Sequence, residues 1–154
     1  MRPGIAPFRR RPSRRSDLLV ALWAALFLAW SFVPAWYRAP GGTVGGASFP
    51  PAFLSAWDGP TAPAAVLAAV AVAWVGLRAG RELRRPGPLV AVDAALPIAA
   101  LLLTLMGTVF RREGAFGAAA PAWGLAVGVV VALAWTLSAV RALREASASH
   151  LGHP

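Results

Sequence analysis

The sequence has no cysteine and no lysine, and only 14% of its 154 residues are charged. The first absence excludes disulfide frameworks, thiolate nucleophiles, CxxC redox chemistry and cysteine zinc sites together. The low charge argues against a water-soluble core, because an ordinary soluble domain carries about 25% charged residues. Histidine is nearly absent as well. His150 and His153 stand three apart in a Ser/Ala-rich tail, two ligands without Cys or a nearby carboxylate, which falls short of a metal site. A serine hydrolase would need a histidine near the apolar stretches or the loop between the first two, and none is there. The glycines Gly41, Gly42, Gly45 and Gly46 lack the lysine and following helix of a phosphate-binding loop. The expectation is a non-enzyme without a cofactor.

What is present is apolar length. Hydrophobic residues make up 58% of the chain, and the mean hydropathy is +0.61. A bilayer core of about 30 Å needs roughly 20 apolar residues in a helix. Four stretches approach that length: residues 18–36, 62–79, 88–110 and 118–140. The expected architecture is therefore all-α, an integral membrane four-helix bundle spanning residues 18–140. A basic tail (1–17) precedes it, a tail (141–154) follows it, and the outer loop is 37–61. Twelve arginines lie before the first stretch, from the inner end of the second (Arg78) to the start of the third, or after the fourth; Arg38, Arg111 and Arg112 lie on the other side. Short arginine-bearing loops stay cytoplasmic, so both termini are expected inside. Multi-pass insertion in a bacterial inner membrane follows. A basic start before an apolar run also describes a signal peptide, with cleavage after Ala35 as the alternative. Asp17, however, occupies the place where a twin-arginine signal after Arg14 and Arg15 wants a large apolar residue.

A net charge of +9 would suit a nucleic-acid partner only if a broad polar surface displayed it, and the apolar runs leave none. The basic tail instead points to anionic lipid headgroups, with Arg9, Arg10, Arg11, Arg14 and Arg15 as candidate contacts, each worth about 1 kcal/mol near such a surface. Phe49, Phe53 and Trp57 recur every four residues. That spacing predicts a short helix within residues 48–58, with one aromatic face at the outer interface or over the bundle. Trp36, Tyr37, Trp57 and Trp123 fall where an outer aromatic belt belongs. Ala120, Gly124, Gly128 and Ala132 repeat at intervals of four and form a candidate helix-packing stripe, within one bundle or between copies.

Asp93 is the single acid inside the four stretches. It stands about five residues, roughly 8 Å of helix rise, from the inner start of the third. An intramembrane carboxylate is either an ion or proton carrier or a structural anchor. Arg78, Arg81, Arg84 and Arg85 are near enough in sequence to pair with it. Pro97, four residues on, cannot donate to the Asp93 carbonyl.

Pro34, Ala35, Trp36 and Tyr37, then Ser55, Ala56 and Trp57, resemble a recurrent class of small four-span proteins of high-GC bacteria. Those proteins commonly read Pro-Trp-Tyr after the first span and Ser-Ala-Trp before the second, followed by an arginine-rich inner loop; here Ala35 is inserted. The resemblance implies an architecture and no chemistry. The layout is also similar to claudin-type proteins, without their cysteine pair. The expected role is an accessory, assembly or structural membrane component, with a membrane-protein partner or a second copy as its contact. A small oligomeric transporter or channel using Asp93 is the alternative.

Overall fold

The structure, a computed structural model, describes residues 14–81, 87–109, 113–114 and 117–151. Among these the chain is mostly helical, with α1 (Arg14–Ser31), α2 (Ala62–Arg81), α3 (Gly87–Val109) and α4 (Trp123–Leu151). Each helix packs on two others, α1 on α2 and α4, and α3 on α2 and α4. Two contain segments long and apolar enough to cross a membrane, Val92–Val109 in α3 and Trp123–Glu145 in α4. The apolar segments of α1 and α2 are shorter, Ser16–Ser31 and Ala62–Leu77.

Strands make the fold other than purely all-α. After α1 come β1 (Tyr37–Ala39), β2 (Gly42–Val44), β3 (Ala47–Phe49) and β4 (Ala52–Leu54), then a 3-10 turn at Ala56–Asp58. Between α3 and α4 come β5 (Glu113–Gly114), β6 (Gly117–Ala118) and β7 (Ala120–Pro121). A three-stranded sheet ordered β4-β1-β7 joins segments that follow α1 and precede α2 and α4. It therefore lies across one end of the helices as a cap.

The helix expected within residues 48–58 is not formed. That segment holds β3, β4 and the 3-10 turn. A spacing of four satisfies a strand's period of two as well as a helix's 3.6, so Phe49, Phe53 and Trp57 did not discriminate between them. Two local features and one longer-range pairing choose the strands. Gly45 and Gly46 take φ of +59° and +84°, the tight hairpin turn that glycine permits. Pro50 and Pro51 follow β3 and cannot supply helical N–H groups. Pairing of β1 with β4 then satisfies the backbone in the register Tyr37↔Leu54, Arg38↔Phe53 and Ala39↔Ala52.

Helix bounds also differ from the apolar runs. The first helix ends at Ser31 rather than near residue 36, because Pro34 removes a donor. The chain then turns through bonds from Val33 N–H to the Trp30 carbonyl (3.0 Å) and Ala35 N–H to the Val33 carbonyl (2.8 Å). The fourth helix begins at Trp123 rather than near 118 and continues to Leu151, through most of the segment expected as a tail.

The interior is built from small residues and a few large rings. Ala24, Ala64, Ala68, Ala100 and Ala132 are fully buried beside Phe27, Trp36 and Trp135. Many leucines and valines are outside instead, among them Leu22, Leu26, Val66, Val70, Leu102, Val130 and Leu137, whereas Leu125 and Val131 are buried. Small buried residues let the backbones of neighbouring helices approach closely.

Candidate functional site

Two places gather polar atoms between helices. The first is on the half of the helices remote from the cap. Asp93 on α3 accepts a hydrogen bond from the indole N–H of Trp74 on α2, at 3.2 Å, and both side chains are half-buried. The antiparallel helices bring them level: Trp74 precedes the end of α2 by seven residues and Asp93 follows the start of α3 by six, each about 10 Å by helix rise. The role of Trp74 against Asp93 depends on how α2 and α3 pack. Arg84 and Arg85 lie outside the described residues, and Arg78 and Arg81 fall in the last turn of α2. One helical turn beyond Asp93, the Pro97 carbonyl accepts from the Thr136 hydroxyl of α4 at 3.1 Å. That hydroxyl also donates to the Ala132 carbonyl at 2.8 Å, so one proton is shared between two helices.

The second place lies under the cap. Trp36 and Tyr37 were expected in an aromatic belt, but both are buried, at 0% and 2% exposure. The turn after Ser31 swings them inward. The Trp36 indole donates to the Trp30 carbonyl at 3.0 Å, and its ring meets Phe27 edge-on at 5.8 Å. Phe27 in turn lies 6.2 Å from Trp135. Trp30 donates to the Gly124 carbonyl at 2.9 Å, tying α1 to the first turn of α4. Trp57 donates to the Ser31 hydroxyl at 3.0 Å, and Ser31 to the Leu28 carbonyl at 2.6 Å, which ties the 3-10 turn to the end of α1.

Tyr37 connects the cap to α2 and α3. Its hydroxyl donates to Thr61 Oγ1 at 3.3 Å, and Thr61 donates to the Ala56 carbonyl at 3.3 Å. A side chain at Gly59 would strike the Tyr37 ring, with Cδ2 at 2.6 Å, and one at Gly107 would meet its hydroxyl at 2.7 Å. Burial pushes the Tyr37 phenol above its ordinary value, with the Thr61 bond pulling the other way.

Of the stripe residues, Gly124, Gly128 and Ala132 are in α4 and buried, whereas Ala120 is exposed in β7, paired with Arg38. The stripe faces the turn after α1. A Cβ on Gly124 would come 2.6 Å from the Ala35 carbonyl carbon, and one on Gly128 2.7 Å from Trp36 Cζ3. Phe49, Phe53 and Trp57 are all exposed at their outer edges, on separate elements rather than on one face. Arg14 and Arg15 open α1, and Arg9, Arg10 and Arg11 lie outside the described residues. On the cap, Arg38, Pro40, Gly41, Pro51 and Ala120 line a shallow groove of about 320 Å³.

No family model, curated protein or solved structure matches the chain. The residues themselves therefore carry the chemical reading. Among the described residues no three His, Cys, Asp or Glu side chains meet where they could hold a metal ion. The Asp93–Trp74 pair offers a carboxylate held by a neutral donor, which can lock two helices together or accept a proton. The cap offers interlocked rings and indole bonds whose effect is to fix the helix ends.

Proposed function

We propose that this chain is a four-span protein of the bacterial inner membrane, with both termini inside, and that it acts as a non-catalytic accessory, assembly or structural component. The observation that carries the reading is the inversion of surface and interior. Alanine, glycine and a few rings fill most of the inside, while many leucine and valine side chains lie on the outside of all four helices. Water would penalise that surface, and lipid does not. The arginine asymmetry and the resemblance to small four-span proteins of high-GC bacteria support the orientation and the architecture.

Asp93 supports the anchor role in this reading. Its bond to Trp74 joins α2 to α3, and it lies in the first turns of α3, where the helix dipole favours an anion. A second reading, a small oligomeric transporter, draws on the same half-buried carboxylate between helices. One experiment separates them. Asp93→Asn is reconstituted in proteoliposomes and also heated in mild detergent. The anchor reading expects lower thermal stability and unaltered ion or proton flux; loss of a proton-coupled flux at unchanged stability would overturn it. Co-purification of the unaltered chain with a second membrane protein in mild detergent tests the accessory role directly. Labelling of Glu82→Cys from outside intact cells would contradict the orientation.

A further inference from the structure

The β2–β3 hairpin divides its side chains by face. The pairs Gly42↔Phe49 and Val44↔Ala47 place those four residues on one side, and Thr43↔Ser48 falls on the other. The apolar side is open, with Val44 55% and Phe49 47% exposed. No charged residue occurs anywhere in residues 39–57, although that segment is the longest connection between the helices. An exposed loop without charge, amphipathic by strand alternation, is poorly suited to bulk water.

The helices supply a reason for it. From Leu18 to Ser31 and from Ala62 to Leu77, the uncharged parts of α1 and α2 rise only about 20–23 Å. The bilayer core is about 30 Å thick. The shortfall is comparable to a sheet layer, about 10 Å with its side chains, and a sheet layer is what crosses the outer helix ends. An aromatic collar marks the same level. Phe32 lies against Trp57 at 5.3 Å, Trp123 against Trp30 at 5.7 Å, and Phe32 and Trp123 are both exposed.

We propose that the β2–β3 hairpin is a lipid-interface anchor, with Val44, Ala47 and Phe49 at the headgroup–acyl boundary of the outer leaflet and Thr43 and Ser48 towards water. This rests on the four-span reading. A two-stranded hairpin leaves backbone groups unpaired along its outer edges, which limits it to the wet interface and keeps it out of the hydrocarbon centre. The cap thereby extends the apolar belt over α1 and α2, whose apolar segments are short for a membrane.

Because the chain has no cysteine, each introduced one is unique. Val44→Cys and Thr43→Cys are labelled with a nitroxide in full-length protein in phosphatidylcholine nanodiscs, and collision with oxygen is compared with collision with a water-soluble nickel chelate. The oxygen-to-nickel ratio is expected to be several-fold higher at position 44 than at 43. Ala47→Cys, a smaller change on the same face, serves if Val44→Cys folds poorly. Equal ratios at 43 and 44 would overturn the anchor. So would a label at 44 that is shielded from both reagents and released on dilution with unlabelled chains, which would mark a second copy as the occupant. Leu22→Cys and Val70→Cys on the exposed faces of α1 and α2 separate the two levels of failure. Lipid-like ratios there with a water-like one at 44 refute the hairpin anchor alone. Water-like ratios at all three sites refute the four-span reading beneath it.

Discussion

Replacing Gly124 by alanine is expected to loosen the junction between α1, α4 and the cap, and its magnitude follows from the contacts around that residue. The added Cβ would stand 2.6 Å from the Ala35 carbonyl carbon and 2.8 Å from the Ala35 Cβ, closer than real methyl groups approach. The obstruction is backbone, so no side chain can rotate away. Retreat of the Ala35 carbonyl would stretch the 2.8 Å bond it accepts from Gly124 N–H, and a shift of Gly124 would strain the 2.9 Å bond from the Trp30 indole. Overpacking costs about 1–3 kcal/mol, and each weakened hydrogen bond adds about 0.5–1.5 kcal/mol. Some relief comes from alanine's better helix propensity, but Gly124 is only the second residue of α4, where that gain is small. A net loss of about 2–4 kcal/mol corresponds to a fall in Tm of roughly 4–16 °C for a chain of this size. The assay is thermal unfolding in mild detergent, followed by tryptophan fluorescence. Gly76→Ala is the internal control: it lies on an exposed part of α2 with nothing within 4 Å of its added Cβ, so it should gain about 0.5–1 kcal/mol from propensity alone. Equal Tm values for Gly124→Ala and Gly76→Ala would refute the reasoning.

Trp135 is buried with its indole N–H unpartnered among the described residues, whereas the Trp36 indole is bonded to the Trp30 carbonyl. Relief of an unsatisfied donor is worth about 1–3 kcal/mol, so Trp36→Phe should cost at least about 1 kcal/mol more than Trp135→Phe in the same thermal assay; the reverse order would contradict this. Trp74→Phe removes the donor to Asp93 and should lower stability by about 1.5–3 kcal/mol, the usual worth of a bond to a charged group. The neighbouring helix contacts should persist, as measured by cross-linking between cysteines placed in α2 and α3. Tyr37 adds a pH dependence. Its phenol is raised above 10.0 by burial, so the folded state holds its proton more tightly than the unfolded one. Its contribution is complete below the unfolded value of about 10 and is lost as pH rises towards the folded value. Denaturant titrations from neutral to strongly alkaline pH should show stability falling in that upper window, and Tyr37→Phe should flatten the fall.

Composition and periodicity by themselves determined the helices. Runs of apolar residues this long, without cysteine, lysine or paired catalytic groups, leave few alternatives to apolar helices, and α2 and α3 begin and end within two residues of the apolar runs. Pro34 and Pro121 also carried the signal for the earlier end of α1 and the later start of α4, because a missing N–H is a local property. The cap was not legible in the same way. Phe49 and Phe53, four apart, fit both periods, and the choice between them rested on pairing of β4 with β1, a contact between distant residues. The partner of Asp93 was equally hidden, since Trp74 comes level with it only when α2 and α3 run antiparallel. The burial of Trp36 and Tyr37 followed from the turn after Ser31 and from the room left by Gly59, Gly107 and Gly128 on three other segments. Local chemistry determines where a helix can run. Only tertiary packing decides which surfaces meet, because the space a ring occupies is set by residues that sequence spacing does not relate to it.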